Sequence, residues 1–189
     1  MKTLFRTVEI KDLEDIYQLS LNAGYGLTTL PKNKEALRQR IQRSINSFSK
    51  NVIEPFNENY FFVLEDLVTN NIVGTSSIEA YVGNALPFYA YRISKVSNIS
   101  HTLNLTVNYQ VLILNNDLQG ASEICSLYLS PAYRVNNNGL VLSRARFLFM
   151  SFMPERFSDQ IIAEMRGVSD KKGNSPFWES FGKHFFKMP

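Results

Sequence analysis

Over residues 122–150 the chain reads SEICSLYLSPAYRVNNNGLVLSRARFLFM: a strand-length alternating run, a short polar loop and an apolar run of helical length. A further strand-like run, DQIIAEMRGV, follows at 159–168. Strand, helix and strand in that order make a crossover unit, which lays its helix across the sheet that its two strands share. In the first strand Glu123, Cys125, Leu127 and Leu129 alternate with Ile124, Ser126 and Tyr128, so the two sets are expected on opposite faces. In the helix Val141, Ala145, Leu148 and Phe152 form one stripe, with Leu142 and Phe149 beside it and Phe147 and Met150 elsewhere around the axis. A helix apolar all round is expected to be well buried.

The remaining elements fit around this unit. LFRTVE reads as a first strand. KDLEDIYQLSLNA is a helix, with Leu13, Ile16, Tyr17 and Leu21 at helical spacing. A loop, GYGLTTLPKN, leads to a second helix, KEALRQRIQRSINSFS, whose apolar face is Leu37, Ile41, Ile45 and Phe48. Its basic face, Arg38, Arg40 and Arg43, is expected to be solvated. Residues 59–83 read as two strands flanking the turn-forming TNN. HTLNLTV and QVLILNN suggest a β-rich insertion at about 84–120. DKKGN is a turn; SPFWESFGKHFF is a last helix with Ser175 as N-cap and Pro176 at the first helical position. The expected class is α+β, a mixed α/β sheet, antiparallel early, in one domain over 1–189.

Composition narrows the partners. A hydrophobic fraction of 44% supports a buried core, and a net charge of +3 with interspersed signs argues against nucleic acid. Cys125 is the sole cysteine, so no internal disulfide forms; with no apolar leader at the start and no run of membrane-spanning length, a cytoplasmic protein is expected, with no membrane partner.

The chain lacks the phosphate-loop lysine motif, a paired-cysteine motif, the zinc-protease helix and the nucleophile elbow. No metal site is expected. His101 and His184 are far apart and read as surface or satisfied core residues, and Cys125 as a buried, inert thiol. The loop before the apolar helix remains. A helix start offers free N–H groups and a positive dipole end, and asparagine and glycine let the backbone turn and a ligand approach. Arg134 can add a charge-assisted contact. An anion site and an ordinary Asn-rich turn are both open on chemistry alone.

RVNNNGLVL resembles the R-x-x-G-x-G/A diphosphate loop of the GNAT superfamily of N-acyltransferases, with Asn137 in place of the first glycine. NSPFWESFGKHFF is similar to a second superfamily segment, with Trp178 where many members carry a thiolate-protonating tyrosine. An indole N–H is far too weak an acid for that role. GLTTLP, YFFVLED, SSIEAYVG, SEICSLYLSPAYR, NGLVLSRARFLFM, IIAEMRGVSD and SPFWESFGKHFF together resemble the bacterial arginine N-succinyltransferase family.

The resemblance implies a GNAT-like fold without its C-terminal strands, succinyl-CoA as co-substrate, and L-arginine as acceptor in arginine catabolism. It implies coenzyme contacts along the strand at Leu127 and Leu129 and in the loop at Arg134, Val135, Asn137, Asn138 and Gly139. Glu79, Glu123 and Glu164 are candidates for the substrate guanidinium, and Thr28 and Thr29 for the acceptor wall. No catalytic residue is assigned, since the family's proton-donor histidine has no counterpart here. The alternative is a non-catalytic fragment or subunit that keeps coenzyme binding. An exposed edge at DQIIAEM is expected to support homo- or hetero-oligomers.

Overall fold

The computed structural model describes residues 2–24, 27–165, 167–170 and 173–186. Its centre is the hairpin β2 (Asn59–Asp66) and β3 (Ile72–Glu79), both buried on two faces. Side chains alternate across β2. Phe61 and Val63 pack with helices α1 (Leu13–Asn22) and α2 (Lys34–Ser49), whereas Tyr60 and Phe62 face Met150 and Phe149 of α3 (Asn138–Phe152). β1 (Thr3–Thr7) pairs antiparallel with β2, and β6 (Ser122–Leu129) antiparallel with β3. β7 (Ile161–Ile162) pairs parallel with β6 after the α3 crossover, giving the sheet order β1-β2-β3-β6-β7. This is a mixed sheet with α1 and α2 on one face and α3 on the other, in the element order that the GNAT resemblance implies.

α3 does not bury the expected stripe. Leu142, Arg146 and Met150 are buried, while Val141, Leu148 and Phe152 are exposed. Two features fix this orientation. Gly74 on β3 has no side chain, and a Cβ there would come within 2.7 Å of Leu142 Cδ1, so α3 sits directly on the strand. Phe149 enters an aromatic cluster, its ring centroid 5.1–5.7 Å from those of Tyr60, Phe62, Phe48 and Phe157.

β6 also departs from simple alternation. Ser126 takes φ 50°, and the register with β3 shifts between Thr75 and Ser77. Such a bulge inserts one residue and reverses the side-chain parity beyond it. Cys125 therefore lies beside Arg40 of α2, but Leu129 packs on Leu142 of α3, and Tyr128, not Leu129, joins the α1–α2 cluster. Glu123, Cys125, Leu127 and Leu129 do not share one face.

The basic face of α2 is corrected as well. Arg38 is exposed, but Arg40 and Arg43 turn inward to Glu79. In α1, Leu19 takes the buried place expected of Leu21, which is 43% exposed. The strand expected over 159–168 is only Ile161–Ile162, because the chain diverges from β6 beyond that pair.

The insertion is a long hairpin, β4 (Ala90–Ser100) and β5 (Leu105–Asn115), which among the described residues pair only with each other in a two-stranded sheet; its turn occupies 101–104, where a strand was expected. In the DKKGN stretch Asp170 N donates to Asn174 O and Gly173 N to Asp170 O, with Lys171 and Lys172 outside the described residues, as are Gly26 of the GLTTLP block and Arg166 of IIAEMRGVSD. The last helix opens at Pro176, runs through the π-turn Trp178–Gly182 and ends in α4 (Lys183–Phe186). Among the described residues no helix is long and apolar enough to cross a membrane.

Candidate functional site

The loop between β6 and α3 folds as the residue types dictate. Asn136 and Asn137 both take left-handed backbone angles, φ 52° and 63°. Asparagine tolerates that region better than other non-glycine residues, which lets Asn137 replace the glycine of the resembled pattern. Asn138 is buried, its amide bridging Tyr133 O at 3.0 Å and Thr3 Oγ1 at 3.0 Å. It fixes the first helical residue to β1 and to the loop. Among the described residues the backbone N–H groups of Gly139 and Leu140 have no acceptor. They form the open, electropositive mouth of a helix of 15 residues. A Cβ at Gly139 would approach only Leu129 Cδ2, at 4.0 Å, so the fold has room there and the glycine leaves the mouth uncovered.

A cavity of about 660 Å3 lies over this mouth. Leu127, Leu129, Arg134, Val135, Asn137, Asn138 and Gly139 all line it, so every coenzyme-contact candidate from the sequence meets around one space. Arg134 is exposed, its Nε donating to Leu129 O at 3.1 Å.

A second cavity, about 600 Å3, opens where β6 and β7 part. Among the described residues β6 pairs with β7 only at Ser122 and Glu123, so from residue 124 onward its outer backbone edge has no strand partner there. Thr28, Thr29, Glu123, Cys125, Leu127 and Glu164 line the cavity, together with Ser143 and Arg146. Leu127 belongs to both cavities, which therefore adjoin along the β6 backbone.

The candidate acceptor residues divide into three groups. Thr29 braces the β6 bulge: its Oγ1 accepts from Ser126 N at 3.0 Å and its carbonyl from Ser126 Oγ at 2.9 Å. Glu79 is already engaged, accepting both 2.7 and 2.8 Å bonds from Arg43 Nη2, a bond from Asn59 Nδ2 and a longer one from Arg40. Its carboxylate is turned to the protein's own guanidinium groups rather than to the cavity. Thr28, Glu123 and Glu164 face the open space.

Glu123 is 7% exposed. Burial, then the nearby Glu164 and Glu79 carboxylates, push its pKa up to about 7, against a smaller opposing pull from Arg40. The Cys125 thiol is raised too, chiefly by burial, as expected of an inert cysteine. Trp178 lines neither cavity; its indole stacks on Phe186 at 6.1 Å. His101 and His184 are both exposed.

Residues 3–189 match the family model of the arginine N-succinyltransferase beta subunit. The chain belongs to that family. It is 45% identical over 186 residues to an arginine N-succinyltransferase of Photorhabdus laumondii, covering 98% of this chain and 54% of the relative. With the Escherichia coli arginine N-succinyltransferase it shares 42% identity over 185 residues, 98% of this chain and 54% of that protein. The solved arginine/ornithine succinyltransferase subunit AI of Pseudomonas aeruginosa superposes with a TM-score of 0.90 at 36% identity, over 98% of this chain and 56% of that one. The chain thus spans about half the length of the curated relatives it matches.

Within this family frame, sequence reasoning missed Ser143 and Arg146 on the cavity wall and the Arg40–Arg43–Glu79 cluster beneath it. The available signal for Arg146 was a pair of arginines, Arg144 and Arg146, inside a largely apolar helix, of which Arg146 is the buried one.

Proposed function

We propose that this chain binds an acyl-CoA, succinyl-CoA in particular, and takes part in succinyl transfer to the α-amine of L-arginine. The observation that carries the reading is the pair of adjoining cavities, one over an uncovered helix mouth and one at a parted strand edge, inside a chain of the arginine N-succinyltransferase family. The coenzyme diphosphate accepts from the loop amides at Gly139 and Leu140, with Arg134 at the rim. The pantetheine takes the part of the β6 backbone edge that no strand covers and that the Thr29 and Arg146 bonds leave open, and the thioester comes to rest at Leu127, where main-chain N–H polarises its carbonyl. The acceptor's cationic groups lie against Glu123 and Glu164, which lack a cation of their own within ion-pair distance among the described residues.

Attack requires an uncharged amine. Glu123, with its pKa near 7, is part ionised at neutral pH and serves as proton acceptor, directly or through a water. A second reading is favoured by the family model's description as a beta subunit: a coenzyme-binding subunit that turns over only with a second polypeptide. Its contacts would use exposed edges, for which the 11-residue β5, without a charged side chain, is better suited than the two-residue β7. Titration with CoA followed by an arginine succinylation assay separates the two. Binding with turnover supports the enzyme, binding alone supports the subunit, and no binding refutes both. Sedimentation that stays monomeric at high concentration contradicts the edge association.

A further inference from the structure

Arg146 is a charged group on the cavity wall that the chemistry above leaves unused. It lies mid-way along α3 and is 2% exposed. Its Nε donates to Ser143 O at 3.3 Å and its Nη1 to Cys125 O at 3.5 Å, both long bonds. Among the described residues Nη2 has no acceptor, and no carboxylate pairs with the group.

The other inward-facing arginines commit their terminal nitrogens to carboxylates or carbonyls, although among the described residues the Nε atoms of Arg40, Arg43 and Arg156 are buried without a partner. Arg6 pairs with Asp12 and Glu65, and Arg40 and Arg43 share Glu79. Arg156, 8% exposed and also without a carboxylate, donates at 2.9 Å to each of Ser47 O and Lys50 O and reaches Tyr60 Oη at 3.3 Å. Arg156 commits both terminal nitrogens to the protein's own backbone and leaves only its buried Nε without a partner, whereas Arg146 leaves the terminal Nη2 unbonded.

A guanidinium cannot shed its proton, so an unpaired one held out of water is costly. Burial pulls the Arg146 pKa down, with only the Cys125 thiol opposing. The group lines the same cavity as Leu127, Glu123 and Glu164, yet neither glutamate pairs with it. That cavity thus has a cationic pole on α3 and a separate acidic pole, and a ligand with both signs of charge matches it. We propose that Arg146 is the receptor for a ligand carboxylate, supplied by the distal end of a dicarboxylic acyl group or by the α-carboxylate of the amino-acid acceptor. The contact of Arg146 with the β6 backbone beside Leu127 favours the acyl group, because that is where the thioester rests. Arg146 then selects the acyl donor. This inference rests on the acyl-transfer reading.

The test is equilibrium titration of this chain with CoA, acetyl-CoA and succinyl-CoA, in the wild type and in Arg146→Met and Arg146→Lys. The wild type is expected to bind succinyl-CoA about tenfold or more tightly than acetyl-CoA, the scale of one charge-assisted pair. Arg146→Met loses that difference while keeping its affinity for CoA, and Arg146→Lys keeps part of it. If the amino acid supplies the carboxylate, the preference appears instead for L-arginine over agmatine, its decarboxylated analogue, and disappears in Arg146→Met.

A wild type that binds CoA but shows neither preference overturns the inference while the acyl-transfer reading stands. So does a preference that survives in Arg146→Met. Failure to bind CoA at all sinks the acyl-transfer reading and takes the inference with it. A receptor and a structural arginine also differ without ligand. Unliganded Arg146→Met is expected to melt no lower than the wild type, whereas Arg156→Met melts lower. A fall in Arg146→Met as large as in Arg156→Met contradicts the receptor role.

Discussion

Glu123 holds its proton into the neutral range because three carboxylates converge beneath one strand end and only one side of that group is compensated. Arg40 and Arg43 lean on Glu79, leaving Glu123 buried beside Glu164 without a bonded cation. The consequence for stability has a definite sign. Below pH 4.5 the group is protonated in both folded and unfolded chains. As pH rises from there through about 7, the unfolded chain loses the proton first, so stability falls across that window and stays reduced above it. Glu123→Gln removes this titration. It should stabilise the chain by about 2–3 kcal/mol at pH 8 and by little at pH 5, read by urea unfolding at both values. An equal effect at the two pH values would show that charge is not what the substitution changes. The cluster was only partly legible in the sequence. Three glutamates on strands could be named, but which one is neutralised depends on α2 turning two arginines inward, and no local pattern specifies that.

At the scale of elements, the β6–loop–α3 unit was legible because each of its parts has a local cause. Alternation marks the strand, asparagines mark the left-handed turn, and Gly139 opens the helix mouth. What could not be read was the bulge at Ser126, which depends on Thr29 from a distant loop and reverses the faces of the residues after it. The buried stripe of α3 was also misplaced. A stripe drawn through apolar residues avoids Arg146, yet the helix buries that arginine together with Leu142 and Met150. A local rule broken in the core is where a functional group is expected, and the break here falls on the cavity wall. The left-handed turn makes its own prediction. Asn137→Val forces a β-branched residue to φ 63°, costing about 1–2 kcal/mol and weakening CoA binding by tilting the loop amides. Asn137→Gly should leave both intact. Thermal unfolding and calorimetric titration of the two variants check this; identical behaviour of the valine and glycine variants would mean that the loop backbone does not hold the ligand.

Taken whole, the molecule is a sheet whose two helical faces do different work. α1 and α2 close the core; the loop between them braces one wall of the second cavity through Thr29, and Arg40 and Arg43 of α2 hold Glu79 beneath it. α3 supplies the anion mouth at its start and an unpaired guanidinium at its middle, with an apolar outer face, Val141, Leu148 and Phe152, left exposed. The two cavities meet at Leu127, so a long ligand can lie with its charged head over the loop and its reactive end between the parted strands. The most direct measurement of this arrangement is backbone-amide NMR of the chain during titration with CoA. The amides of Asn137, Gly139 and Leu140 and of the β6 edge from residue 124 onward should shift and saturate together, and Gly139→Asp, which sets a carboxylate in the mouth, should abolish the response without unfolding the chain. Saturable shifts confined to other residues, or a Gly139→Asp variant that binds CoA as well as the wild type, would contradict it.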